Sequence, residues 1–343
     1  MNIKGIIDKA VEELGPDIHI TRHCGSFVAV KDGKAVKAYG EPLCYCPIAT
    51  HLYGIEKSDS PIPRDVVVQT VQSKIDKFGM FTDNRELWVE DTAIQFGASE
   101  MVMFGLKYGA IDYFVTVCEG AGTVITDNPY VAQGIGARMN GIFYTTPIRG
   151  IVDKLLGYGA VVPFEDARID QRAGVEMALE TAIERGNEEP NIAVTVNGYS
   201  AEDLGQIEVF KHIEGLNLTK LVVCTTGISK DDASFIKEYA DMAWGCASRE
   251  VIEDVSDKAM VQLGQLVPVY VLTQTGLDLL FSYSPDGSLK SMIEEGKKYV
   301  INFSTMGDAS KSVNLGGKEC HLREVESLPL RSRNEPRPLS PSR

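Results

Sequence analysis

The apolar positions of this chain change period several times, and each change marks an element. Residues 1–15 read as a short amphipathic helix closed by Gly15-Pro16. Two apolar-rich runs, FVAV and KAVKAYG, flank Asp32-Gly33 and predict a β-hairpin. Residues 40–65 carry Pro42, Pro47, Pro61 and Pro63 and read as an irregular loop. Asp65 is placed to cap a helix in which Val67, Val71, Ile75 and Phe78 recur at helical spacing until Gly79. A second helix is expected over about 91–108, through Ile94, Met101, Phe104 and Leu106.

From residue 111 onward, β-branched runs alternate with amphipathic ones. The runs 111–118, 160–162, 192–196, 220–224, 241–246, 268–273 and 298–302 read as strands. Helices are expected at 129–141, 147–158, 170–185, 200–213, 231–240, 248–262, 275–281 and 288–297. The strands are continuous apolar runs, as expected when both faces are buried. The expected fold is therefore α/β: mainly parallel Rossmann-like sheet or sheets with helices on both faces, preceded by the hairpin and a cysteine-containing loop. Residues 1–65 form the N-terminal part, 66–163 a first α/β unit and 164–325 a second. The pattern leaves one sheet or two open. Residues 326–343, rich in Pro, Ser and Arg, read as a disordered tail.

Charge narrows the function classes. The 343 residues carry 34 Lys and Arg against 48 Asp and Glu, a net −14. A general nucleic-acid or anionic-membrane binder is disfavoured, because such proteins cluster cations. No apolar run reaches the roughly 18 residues a membrane span needs, and the N-terminus lacks a signal-peptide core. A cytoplasmic location is expected, and with it seven reduced cysteines rather than a disulfide framework.

The positions of those cysteines carry the chemistry. Cys118, Cys224 and Cys246 each end an apolar strand and enter small or hydroxyl residues: Gly120, Gly122 and Thr123 after the first, Thr225, Thr226 and Gly227 after the second. In open α/β sheets, ligands bind beyond the carboxyl ends of the strands. Helix N-termini expected there would favour thiolates, which bind soft metals or an iron–sulfur cluster. A second group is N-terminal: His23-Cys24, then Cys44-Tyr45-Cys46, with His51 nearby. It fits a thiolate/imidazole site by residue type but matches no zinc-finger spacing. Cys320-His321 is a weaker pair of the same kind.

Other motifs are incomplete. Gly120-Ala121-Gly122 and Gly134-Ile135-Gly136 both fail the dinucleotide fingerprint, and no phosphate loop or nucleophile elbow occurs. The first glycine pair could still form a backbone nest for an anion, or only permit a tight turn. Glu119, Asp127 and Arg138 flank it; a carboxylate beside a thiol could act as a general base, or be a helix-end or surface charge.

Several strings together resemble the archaeal methanogenesis marker protein 8 family. They are GEPLCYCPIATHLYGIEK (40–57), KIDKFGMFTDNREL (74–87), IDYFVTVCEGAGTVITDNPYVAQGIGARMNG (111–141), TTPIRGIVDKL (145–155), ARIDQRAGVEMAL (167–179) and VVCTTGIS (222–229). The likeness spans roughly residues 18–300. It implies an anaerobic archaeal protein that accompanies methyl-coenzyme M reductase and supports its assembly or activation. Partners would be that enzyme or its maturation factors. The resemblance assigns no catalytic residue.

Three readings follow. In the first, Cys118, Cys224 and Cys246, with Cys24 and Cys46, bind an iron–sulfur cluster or soft metal. In the second, Cys118 is the nucleophile of a small-molecule enzyme, with the Gly120–Thr123 amides as its anion site. In the third, the chain is a metal-free interaction module with core cysteines.

Overall fold

A computed structural model describes residues 3–56, 58, 60–137 and 141–331. The chain opens with helix α1 (Ile3–Leu14) and three strands, β1 (His19–His23), β2 (Ser26–Lys31) and β3 (Lys34–Tyr39). Asp32 and Gly33 both take positive φ, the geometry of a two-residue turn that sets Lys31 opposite Lys34. The cysteine loop contains a short helix, α2 (Pro47–Tyr53), and leads to α3 (Arg64–Phe78). Asp65 lies in the first turn of α3 rather than at its cap, which is Pro63. Val67, Val71 and Ile75 of α3 pack on Val28, Val30 and Ala38. Ile6 and Ala10 of α1 pack with Phe27 and Ala29. The alternating residues of β2 thus bury both faces of a small sheet.

Next come α4 (Ala98–Lys107), β4 (Tyr113–Cys118), β5 (Gly122–Thr126), α5 (Pro129–Gly136) and β6 (Ile142–Tyr144). Strand β6 returns to pair with β1 and completes a sheet of order β3-β2-β1-β6. Then follow α6 (Arg149–Gly157), α7 (Gln171–Glu184), β7 (Asn191–Asn197), α8 (Asp203–Ile207), β8 (Asn217–Val223), α9 (Lys230–Tyr239) and β9 (Met242–Trp244). The last elements are β10 (Val261–Leu263), β11 (Val269–Val271), α10 (Gln274–Ser282), β12 (Lys298–Asn302), β13 (Lys311–Leu315) and β14 (Lys318–Val325).

The second sheet is continuous, ten strands in the order β13-β14-β12-β10-β11-β9-β8-β7-β4-β5. Strands β4, β7, β8 and β9 are mutually parallel and form its centre. Period-two alternation builds two cores. Ile192, Val194 and Val196 of β7 face Val175, Ala178 and Ala182 of α7, whereas Ala193 turns to the side of Met101 and Leu280. Helix caps follow ordinary chemistry: Asn128, Asp170 and Thr273 each accept backbone N–H groups, and Ser229 forms a capping box with Asp232.

Several expectations are corrected. The large sheet is mixed: β5, β11 and β14 run against the direction of the other strands. Residues 91–97 precede α4 without being helical. Residues 288–297 hold a single helical turn, whereas 249–258 are helical, largely in π and 3-10 form, before β10. Residues 326–331, expected in the tail, dock on the sheet: Leu328 is buried, and Leu330 exchanges hydrogen bonds with the Gln262 side chain at 2.8 and 2.9 Å. Residues 332–343 lie outside the described residues. Among the described residues, no helix is long and apolar enough to cross a membrane.

Candidate functional site

Four parallel strands end at one edge, and the small sheet folds over it. Between them lies a cavity of about 560 Å³. Its floor is the carboxyl end of the central strands: Thr116 and Val117 of β4, Thr195 to Asn197 of β7, Val223 of β8 and Trp244 of β9. Its cover comes from Arg22 and His23 of β1, Leu43 and Tyr53 near the cysteine loop, Lys74 of α3 and Phe143 of β6. Ligand sites favour this edge of α/β sheets.

Cys24, Cys46, Cys224 and Cys246 all line this cavity. They come from four separate chain segments, and all are free thiols. Three of them sit in left-handed backbone: Cys24 at φ 47°, Cys224 at 58° and Cys246 at 45°. Cys24 and Gly25 form the two-residue turn between β1 and β2, with His23 paired to Ser26. Such turns ordinarily take Asn, Asp or Gly. An L-residue there costs roughly 1–2 kcal/mol, and such outliers cluster at functional sites. The backbone is strained where it delivers sulfur to the cavity.

Gly141 links the two sheets at this point. Its N–H donates to Cys224 Sγ at 3.1 Å, and its carbonyl accepts from Arg22 N and Thr21 Oγ1, both at 3.2 Å. A Cβ at position 141 would lie 2.4 Å from Cys224 Sγ, so only glycine permits the approach.

Burial controls the thiols. It pushes Cys24 and Cys224 up to about 12, with Cys46 and Cys246 respectively adding to the rise. It also raises Cys246. Opposing this, Lys74 acts on Cys24, while the Gly141 N–H and Arg22 act on Cys224. The helix-lowered thiolates expected from the sequence are not found. Cys118 enters a β-turn, and α9 begins six positions after Cys224, beyond the reach of its dipole. Lys74 is itself displaced: burial lowers it to about 8, while Cys24 and Cys46 pull it upward.

The remaining predicted residues lie elsewhere or serve the fold. Cys118 packs among Leu87, Val124 and Ile151, away from the cavity lining. Its thiol donates to Glu119 Oε2 at 3.4 Å, and burial and Glu119 push it well above its usual value. Glu119 is fully buried and paired with Arg85 at 2.6 Å. Gly120 and Gly122 form the β4–β5 turn, and the amides expected to cradle an anion are taken. Gly120 N donates to Thr145 Oγ1 at 2.8 Å, and Thr123 N to Arg168 O at 3.1 Å. Thr225 Oγ1 is bonded to Trp244 O at 2.6 Å, within the sheet edge. Thr226 lines the cavity, and the Thr226 and Gly227 carbonyls both accept from Tyr199 Oη. Cys320 is a core residue of β14, Cys44 is half-buried outside the lining and His51 is exposed. Asp127 pairs with Arg185 on the surface. Arg138 lies outside the described residues.

Thr145 also ties this turn to a buried histidine. Thr145 Oγ1 lies 2.7 Å from His19 Nδ1 while receiving the Gly120 N–H. Burial holds His19 down to about 4. The stability this contributes is complete above the ordinary value near 6.5 and is lost as pH falls from there toward 4. Replacing His19 by Gln should flatten the unfolding free energy across that window by about 2–3 kcal/mol relative to the parent chain. Chemical denaturation at pH 7, 5.5 and 4.5 measures this, and parallel profiles would refute it.

The sequence reading missed Arg22 and Lys74. Lys74 had a visible signal: it falls on the same helical stripe as Val67, Val71 and Ile75. Arg22 had none, because every residue of β1 is buried and the strand shows no alternation.

Comparison with known proteins gives two matches. A family model described as "Uncharacterized protein conserved in archaea (DUF2099)" covers residues 19–283. The chain is also 32% identical over 272 residues to "Uncharacterized protein MJ0054" of Methanocaldococcus jannaschii, covering 79% of this chain and 92% of the relative. No solved structure matches.

Proposed function

We propose that this chain, which belongs to the DUF2099 family of archaeal proteins, holds an iron–sulfur cluster in its cavity through Cys24, Cys46, Cys224 and Cys246. The observation that carries this reading is that four free thiols, from four segments, line one cavity. The donor chemistry fits. Buried thiols are costly to ionise alone, but an incoming metal supplies the compensating charge. Four thiolates around a dicationic cluster core leave two negative charges, and Arg22 and Lys74 bring two positive ones to the same cavity. Among the described residues, no three His, Cys, Asp or Glu side chains are close enough to grip one ion.

The pathway belongs to the same proposal. The strings at 40–57, 74–87 and 111–141 resemble the methanogenesis marker protein 8 family, and on that likeness the chain is an accessory to methyl-coenzyme M reductase assembly or activation. Purification without oxygen, followed by iron and sulfide analysis, tests the site. The expected result is iron and acid-labile sulfide in equal amounts, lost in Cys24→Ser and Cys224→Ser but kept in Cys320→Ser. A colourless, iron-free chain after reconstitution with iron and sulfide would overturn it.

A further inference from the structure

Arg22 presents a problem that the thiols do not solve. It is only 8% exposed and makes no ion pair among the described residues. Its Nη2 donates to Gly25 O at 3.1 Å. Its guanidinium lies 4.7 Å from both the Phe27 and Tyr199 ring centres, which fixes its plane. Nε and Nη1 are buried with no acceptor. A buried charged donor left unsatisfied costs more than a neutral one.

Glu100 does not relieve it. Glu100 lines the same space, but its oxygens accept from Ile94 N at 2.9 Å, Ser99 Oγ at 3.0 Å and Gln133 Nε2 at 3.2 Å. Asp203 also lines the cavity. Lys4 and Lys74 add positive charge, and Leu43, Ile142, Phe143, Val196 and Trp244 supply an apolar wall.

We infer that Arg22 anchors the oxyanion head of a small organic anion whose apolar body fills the rest of the cavity. A carboxylate, sulfonate or phosphate head matches guanidinium donors, and the two flanking rings pre-orient the group so that little entropy is lost on binding. The inference goes beyond the cluster proposal and rests on the cavity and Arg22 alone.

The test uses the full chain, stripped of metal by chelation and kept reduced. Hexanoate, hexanesulfonate and hexyl phosphate are titrated by calorimetry against hexanol, a neutral body of the same length. At least one anion should bind about tenfold or more tightly than hexanol, and the preferred head names the ligand class. In Arg22→Gln that preference should vanish while hexanol binding persists, which also reports an intact cavity. Cys24→Ser/Cys224→Ser should retain the preference, separating this result from the fate of the cluster proposal. Equal binding of hexanol and all three anions to the parent chain would overturn the inference. So would an anion preference that survives in Arg22→Gln.

Discussion

Arg85→Met should destabilise the protein by about 3–5 kcal/mol. Arg85 is 2% exposed, and its partner Glu119 is 0% exposed. Nε donates to Glu119 Oε1 at 2.6 Å, Nη2 to Gly134 O at 2.8 Å and Nη1 to Glu86 O. The guanidinium thus fastens the β4–β5 turn to the end of α5 and to the segment after α3. Removing it leaves a buried carboxylate next to the Cys118 thiol and strips acceptors of their donors. The large cost is that of the abandoned charge rather than the net value of the pair. The double change Arg85→Met/Glu119→Leu should therefore recover more than half of the loss, because it removes both charges. Guanidinium unfolding at constant slope measures the series. A single variant within about 1 kcal/mol of the parent, or a double variant that is worse than either single, would reject this account.

The same pair illustrates what the sequence could and could not disclose. Glu119 beside Cys118 looks like a general base beside a nucleophile, and residue types alone cannot separate that from an internal salt bridge with Arg85, 34 positions away. The central strands were legible because β7 and β8 are long apolar runs buried on both faces. Strand β10 has three residues, too few for any period to emerge, whereas β11 lies within the apolar run 268–273 and was legible. The β13–β14 hairpin left a readable mark in Gly316-Gly317, with Leu315 opposite Lys318, although few apolar residues flank it. At the site, Cys224 and Cys246 were legible as ends of parallel strands that share an edge. Cys118 looked the same in sequence. It differs because β5 folds straight back on β4, pairing Cys118 with Gly122 and sealing the thiol in a separate core. Whether a strand's successor turns back or crosses over is a tertiary choice, and the local string does not encode it. Cys24 and Cys46 join the cavity only because β6 pairs with β1, a contact made across some 120 residues.

Gly122→Ala should cost about 2–5 kcal/mol, and a glycine series can divide that cost by cause. Gly122, Gly120 and Gly159 all have positive φ, at 70°, 74° and 84°. A Cβ at Gly159 meets nothing within 4 Å, so alanine there should show the backbone penalty alone, about 1–2 kcal/mol. At Gly120 the Cβ would lie 2.7 Å from Ile148 Cβ, a milder overlap with an atom that moves only with its backbone. At Gly122 it would lie 2.2 Å from the Ala167 carbonyl oxygen and 2.5 Å from that of Arg168. Both are backbone atoms, and Arg168 O already accepts the Thr123 N–H at 3.1 Å. Relief would require moving the 167–168 segment, breaking that bond and loosening Asp170, whose N–H donates to Thr123 Oγ1 at 2.8 Å as α7 begins. The expected order of destabilisation is Gly122→Ala, then Gly120→Ala, then Gly159→Ala, read from denaturation midpoints. If Gly122→Ala were no worse than Gly159→Ala, the close approach of the β4–β5 turn to residues 167–168 could not be what glycine is there to permit.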